Sequence, residues 1–92
     1  MKEDLNDLIF KRATPKIILA CRDKLAQKNQ MKISKKAGCT YSYTVLVLAK
    51  LRDNNIIKVT RSGRTCATEL TEKGNKIASL IEELNELLRA SE

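Results

Sequence analysis

Residues 35–57, KKAGCTYSYTVLVLAKLRDNNII, decide the fold. Gly38 is free to take a positive φ, and it stops the short helix expected over 31–37. Thr40, two residues on, is placed to cap a new helix, its hydroxyl accepting an early backbone N–H. That helix is expected over 41–54. Thr44, Val47, Leu48 and Leu51 share one of its faces at helical spacing, which assigns them to the core. Ser42, Tyr43, Leu46, Ala49 and Lys50 then point outward, with Val45 at the margin. Asn54 and Asn55 end the helix, since asparagine is the next-best residue after glycine in the left-handed conformation.

Working outward, 31–37 is a short helix or a brief extended stretch leading into one, with Ile33 and Ala37 on one face and Lys32, Lys35 and Lys36 off it. Before it, Thr14 followed by Pro15 reads as an N-cap with proline in the first helical position. Ile17, Ile18, Cys21 and Leu25 then form one apolar stripe, carrying that helix to about residue 28, where Asn29 and Gln30 make a polar break. A further short helix is expected over 3–12, from Leu5, Leu8 and Ile9. After the central helix, 56–70 reads as a β-hairpin. Pairing about Ser62-Gly63 puts Val59 opposite Cys66 and Ile57 opposite Thr68 on one side, and Lys58 opposite Ala67 and Thr60 opposite Thr65 on the other. Apolar and polar residues separate cleanly in that register. It also sets Arg61 against Arg64 at the tip, a repulsion that a partner of opposite charge would relieve. Ser-Gly is not the best two-residue turn, so a longer loop stays open. Thr71 caps the last helix, 72–90, where Ile77, Leu80, Leu84 and Leu87 make a heptad seam. Ile81 and Leu88 widen that seam until it suits a helix touching two surfaces.

Ninety-two residues make one domain, and 42% apolar against 32% charged residues leaves no surplus core. No apolar run reaches the length of a membrane span, and the acidic start, MKEDLNDLIFKR, does not read as a secretory signal. Histidine is absent and no nucleophile–base pair is visible, so neither an enzyme nor a histidine metal site is expected, and nothing calls for a cofactor. Cys21, Cys39 and Cys66 form no CxxC pattern and read as free thiols of a cytoplasmic protein. Cys21 and Cys66 act as small apolar residues, while Cys39, beside lysines, is either that or a redox-sensitive thiol. The charge is uneven: residues 1–10 carry −2, residues 11–68 carry +12 and residues 69–92 carry −3, for a net +7. A basic centre between acidic ends points first to nucleic acid.

Helix, short helix, glycine turn, helix and hairpin is the order of a winged helix-turn-helix. The stretch 35–57 resembles the helix-turn-recognition-helix segment of regulators of the MarR type. The resembling features are Gly38, the cap at Thr40, the pair Leu48 and Leu51, and Ile56-Ile57 after the turn. Asn55 stands where that family usually has glycine. LTEKG, Leu70 to Gly74, looks like the family's junction between wing and final helix. The resemblance covers roughly 14–90, divided into a winged-helix core over 14–70 and a C-terminal helix over 71–90. The chain lacks room for the extra helices around the family's effector pocket. In length and in its long last helix it is more similar to small archaeal or viral winged-helix proteins that dimerise through that helix.

The resemblance implies a double-stranded DNA-binding homodimer that acts in the cytoplasm on the nucleoid. Its recognition helix would enter the major groove, and its wing would lie on the backbone or minor groove. The expected DNA contacts are Lys32, Lys35, Lys36, Thr40, Tyr41, Ser42, Tyr43, Leu46, Lys50, Lys58, Arg61 and Arg64. Hydroxyls stand at the helix start, Leu46 with Val45 and Ala49 suits thymine methyls, and the lysines suit phosphates. Ile77, Leu80, Ile81, Leu84, Leu87 and Leu88 are expected at the dimer contact. Two other readings stand beside a transcription regulator. One is a chromatin-like architectural binder with little sequence specificity. The other is an interaction module of transcription or replication machinery, whose protein partner would cover the apolar outer face of the recognition helix.

Overall fold

The computed structural model describes residues 13–63 and 65–90. The helix expected over 3–12, and Arg64, lie outside the described residues. In chain order come α1 (Thr14–Ala20), a 3-10 turn (Ala26–Lys28), α2 (Gln30–Ala37), α3 (Tyr41–Asp53), β1 (Ile57–Ser62), β2 (Thr65–Leu70) and α4 (Glu72–Ala90). This is the expected winged helix-turn-helix order, mainly helical with one antiparallel hairpin and a long C-terminal helix.

The core gathers Ile17, Ile18 and Cys21 from α1 and its end, and Ile33 and Ala37 from α2. Val47, Leu48 and Leu51 of α3, Ile56, Ile57 and Ala78, with Ala20 and Ala26 beside them, complete it. Each fully buried aliphatic side chain contributes roughly 1.5–3 kcal/mol. The buried hydroxyls of Ser34 and Thr44 donate to Met31 O at 2.6 Å and Thr40 O at 2.8 Å. That of Thr68 accepts from Gln30 Nε2 at 3.4 Å.

The two helices of the helix-turn-helix end in the same way. Gly38 has φ +71°, with Cys39 N–H donating to Ser34 O at 2.9 Å. Asn55 has φ +61°, with Ile56 N–H donating to Leu51 O at 2.9 Å. Both are left-handed caps of the kind foreseen for these positions. Asn29 proves to be the N-cap of α2, its side chain accepting from Met31 N–H at 2.7 Å.

Two expectations need correction. The helix begun at Thr14-Pro15 does not reach residue 28. Thr14 is buried inside α1, the N-cap is Ala13, and no side chain caps it. The helix closes at Cys21 because Asp23 Oδ1 accepts from Leu25 N–H at 2.9 Å and Ala26 N–H at 3.3 Å, nucleating the 3-10 turn. Gln27 Nε2 seals the break by donating to Cys21 O at 2.8 Å. Leu25, assigned to the apolar stripe, is 66% exposed.

The second correction is the hairpin register. Ile57 pairs with Leu70, Val59 with Thr68, Thr60 with Ala67, Arg61 with Cys66 and Ser62 with Thr65. The pairing is two residues from the expected one, so alternation assigns the described strand residues to the same faces while every partner changes. Ser62 pairing with Thr65 leaves a two-residue loop that opens at Gly63, whose φ of +60° is what a primed turn requires at its first central position. Arg61 therefore faces Cys66 across the strands, not the position expected opposite it.

The LTEKG junction ties α4 to the end of α3. Gly74 N–H donates to Thr71 Oγ1 at 3.0 Å, which is the expected cap. Thr71 Oγ1 lies 2.6 Å from Asn55 O, and Thr71 N–H donates to Ile56 O at 3.0 Å. A Cβ on Gly74 would run into that Ile56 carbonyl, so the close approach requires glycine. Among the described residues no helix is long and apolar enough to cross a membrane.

Candidate nucleic-acid interface

The packing of α3 leaves one of its faces bare. Thr44, Val47, Leu48 and Leu51 are buried, while Tyr41, Ser42, Tyr43, Leu46 and Lys50 are exposed and Val45 and Ala49 are half-buried. The division is the one expected from the sequence. Thr40 accepts Tyr43 N–H at 3.3 Å, so its oxygen serves as the cap of α3 while its proton and a second lone pair stay open to a ligand.

Around this face the basic residues divide into groups. Lys32 and Lys35 are exposed on α2, which packs against α3. Lys36, also exposed, pairs with Asp23 at 3.3 Å. The backbone N–H groups of Ala26 and Leu25, then Lys36, hold the Asp23 carboxyl below the usual carboxylate range. Lys36 is thus turned toward the turn after α1, whereas Lys32 and Lys35 have no acidic partner of that kind among the described residues. Lys58 and Arg61 are exposed on β1.

The structure brings two of the expected contacts together in one cleft. Tyr41, at the start of α3, and Arg61, on the wing, line a cleft of about 220 Å³ with Lys28, Asn29, Gln30 and Cys66. Lys28 and Gln30 were not foreseen. They come from the 3-10 turn and the first position of α2, far from the wing in sequence, and no local pattern marks them. Gln30 shows how they arrive there: its amide reaches Thr68 Oγ1 on β2 and stands 4.0 Å from Cys66 Sγ. The cleft places two cations and a phenol within one recess, an arrangement that suits a phosphate oxygen.

The three thiols differ. Cys21 is buried, and burial pushes its pKa up to about 12. Cys39 is half-buried in the turn, with Sγ 3.6 Å from Ala37 O, and Cys66 is half-buried against the cleft.

The side chains expected at a dimer contact separate into two sets. Ile77 and Ile81 pack on the chain's own core beside the buried Ala78. Leu80, Leu84, Leu87 and Leu88 are exposed. Arg22, after α1, forms an ion pair with Glu82 and holds the middle of α4 against α1. Beside that pair, Leu19, Asn85, Glu86 and Arg89 help line a groove of about 340 Å³.

No protein-family model matches the sequence, and no curated protein matches it. Solved structures do match the fold. A possible HxlR family transcriptional factor from Thermoplasma volcanium superposes with a TM-score of 0.81 over 96% of this chain and 81% of that one, at 22% identity. A MarR/EmrR family transcriptional regulator from Acinetobacter gives 0.75 over 89% of this chain and 59% of the longer neighbour, at 20% identity. A DNA-binding protein from Sulfolobus solfataricus gives 0.71 over 87% and 84%, at 18% identity. The chain has the winged-helix fold found in MarR-type and HxlR-type transcription regulators and in a DNA-binding protein of similar length.

Proposed function

We propose that this chain is a double-stranded DNA-binding transcription regulator that works in the cytoplasm as a homodimer. The observation that carries the proposal is the bare face of α3. In a winged-helix fold the helix after the glycine turn presents Tyr41, Ser42, Tyr43, Leu46 and Lys50 to solvent, between the lysines of α2 and the wing. The outer face of such a helix fits the major groove. Lys32, Lys35, Lys50, Lys58 and Arg61 would take phosphates, and Tyr41 with Lys28 and Arg61 would seat one in the shared cleft. The exposed leucines of α4 would join two copies. The solved neighbours described as transcription regulators and as a DNA-binding protein support the reading.

The test is the salt dependence of duplex binding. A dimer that engages six to ten phosphates should show a log–log slope of roughly −5 to −9. A flat dependence between low and physiological salt rules the reading out. Comparing selected with random duplex separates a regulator from an architectural binder, which holds both alike.

A further inference from the structure

Apart from Lys50 at its far end, the outer face of α3 lacks the side chains that make bidentate contacts to bases. Guanine is read by arginine or lysine, adenine by asparagine or glutamine, and cytosine by a carboxylate. From Tyr41 to Ala49 the helix carries none of these. What it exposes is apolar or hydroxylic: Tyr41, Ser42, Tyr43 and Leu46, with Val45 and Ala49 half-buried beside them. Leu46 is 63% exposed, one turn beyond Ser42 and Tyr43. Lys50 closes the strip at one end, and Lys28 and Arg61 flank Tyr41 at the other. An occupant of this strip must bring apolar atoms inside an anionic frame. In the major groove the base edges carry one apolar group, the methyl on pyrimidine C5, between two rows of phosphates.

We infer that α3 reads pyrimidine C5-methyl groups in the major groove. The protein therefore selects thymine-rich duplex and accepts 5-methylcytosine in place of thymine at the contacted positions. The inference rests on the DNA-binding reading above and adds the chemistry of its ligand. Leu46 is the central contact. Burying one methyl against it changes affinity about fourfold, the equivalent of roughly 0.8 kcal/mol.

The experiment uses the full chain and a duplex selected from a random pool. Its thymines are replaced by uracil, which removes the methyl and leaves pairing and charge intact. In a second pair of duplexes, cytosine or 5-methylcytosine occupies the same positions opposite guanine. Uracil should weaken binding about fourfold for each methyl contacted, with the salt slope unchanged. The 5-methylcytosine duplex should bind more tightly than its cytosine counterpart by a similar factor per methyl. Leu46→Ala should abolish both differences with the thermal midpoint kept, since Leu46 lies outside the core. Equal binding of thymine and uracil duplexes overturns the inference, as does a Leu46→Ala protein that retains the discrimination. In either case a steep salt slope leaves the DNA-binding reading standing. Failure to bind any duplex at low salt overturns both. A partner protein lost on Leu46→Ala, with thymine discrimination untouched, assigns the strip to protein instead.

Discussion

Cys21 shows how one buried atom makes the stability of the fold depend on pH. Its thiol is enclosed by the end of α1 and by the core, and burial disfavours the thiolate, raising the pKa from 9.0 to about 12. Below pH 9 the group is protonated in folded and unfolded chains alike and contributes no pH dependence. Above pH 9 the unfolded chain loses the proton while the folded chain keeps it, so stability falls as pH rises toward 12. The slope in that window is about 1.4 kcal/mol per pH unit. Chemical denaturation between pH 8 and 11 should show this decline, and Cys21→Ala should lower stability at pH 8 but remove the Cys21 part of the slope. An unchanged slope in the variant would assign the alkaline loss to other groups. Asp23 acts at the opposite end. Its lowered pKa means that its capping contribution is present above the unfolded value of 3.8 and is lost as pH falls through the folded one.

At the scale of elements, the junction after the wing is packed too closely to admit a side chain at one position. Gly74→Ala drives a methyl into the Ile56 carbonyl that Thr71 N–H already uses, so α4 must move away from the end of α3. We expect a loss of roughly 1–3 kcal/mol, read as a lower midpoint in denaturant. Alanine at Ser79, exposed on the same helix, should change little. For the wing, Arg61→Ala should weaken binding about equally on all duplexes and reduce the salt slope by about one per subunit. The thermal midpoint should stay level, because Arg61 is exposed and faces the uncharged Cys66 across the hairpin. A sequence-dependent loss would move Arg61 from backbone to base contact.

The same elements show what could be read in advance. The caps at Thr40, Gly38, Asn55 and Thr71 are local, each deciding a boundary within a few residues, and all four stand as the sequence indicated. The buried face of α3 followed from its spacing. The length of α1 did not, because the stripe through Leu25 is satisfied on paper whether or not the helix continues. Asp23, an Asx cap inside that stripe, was the competing signal. The hairpin register failed for another reason. Alternation fixes which face a residue takes but cannot separate two registers that differ by two, and Gly63 accepts a positive φ in either central position of the turn, so only the strand pairing itself decides between them. The cleft shared by Lys28, Gln30, Tyr41 and Arg61 is a product of tertiary packing with no footprint in any single stretch.

For the molecule as a whole, the decisive question is what covers α4. Ile77, Ala78 and Ile81 complete the chain's own core, whereas Leu80, Leu84, Leu87 and Leu88 are left in solvent. Their spacing continues one stripe along the outer side of a 19-residue helix. Burying a leucine gains roughly 1.5–3 kcal/mol. Each is only 49–64% exposed, so four from each of two chains have about 7–14 kcal/mol left to gain, of the same order as an association cost of about 4–15 kcal/mol. A second copy is the cover proposed for this stripe, and the acidic residues Glu83 and Glu86 on the same helix favour keeping this end away from phosphates. Sedimentation should show a dimer at tens of micromolar. Leu84→Lys with Leu87→Lys should give a monomer whose helical signal persists below its melting transition, because neither side chain belongs to the core. Such a monomer reaches only one half-site, so its affinity for a two-site duplex should fall by a factor of a hundred or more, on the order of the avidity that linkage supplies. Its affinity for a single half-site should stay close to that of the parent chain. A parent protein that sediments as a monomer at all these concentrations would remove the dimer from the proposal and leave the recognition helix to act alone.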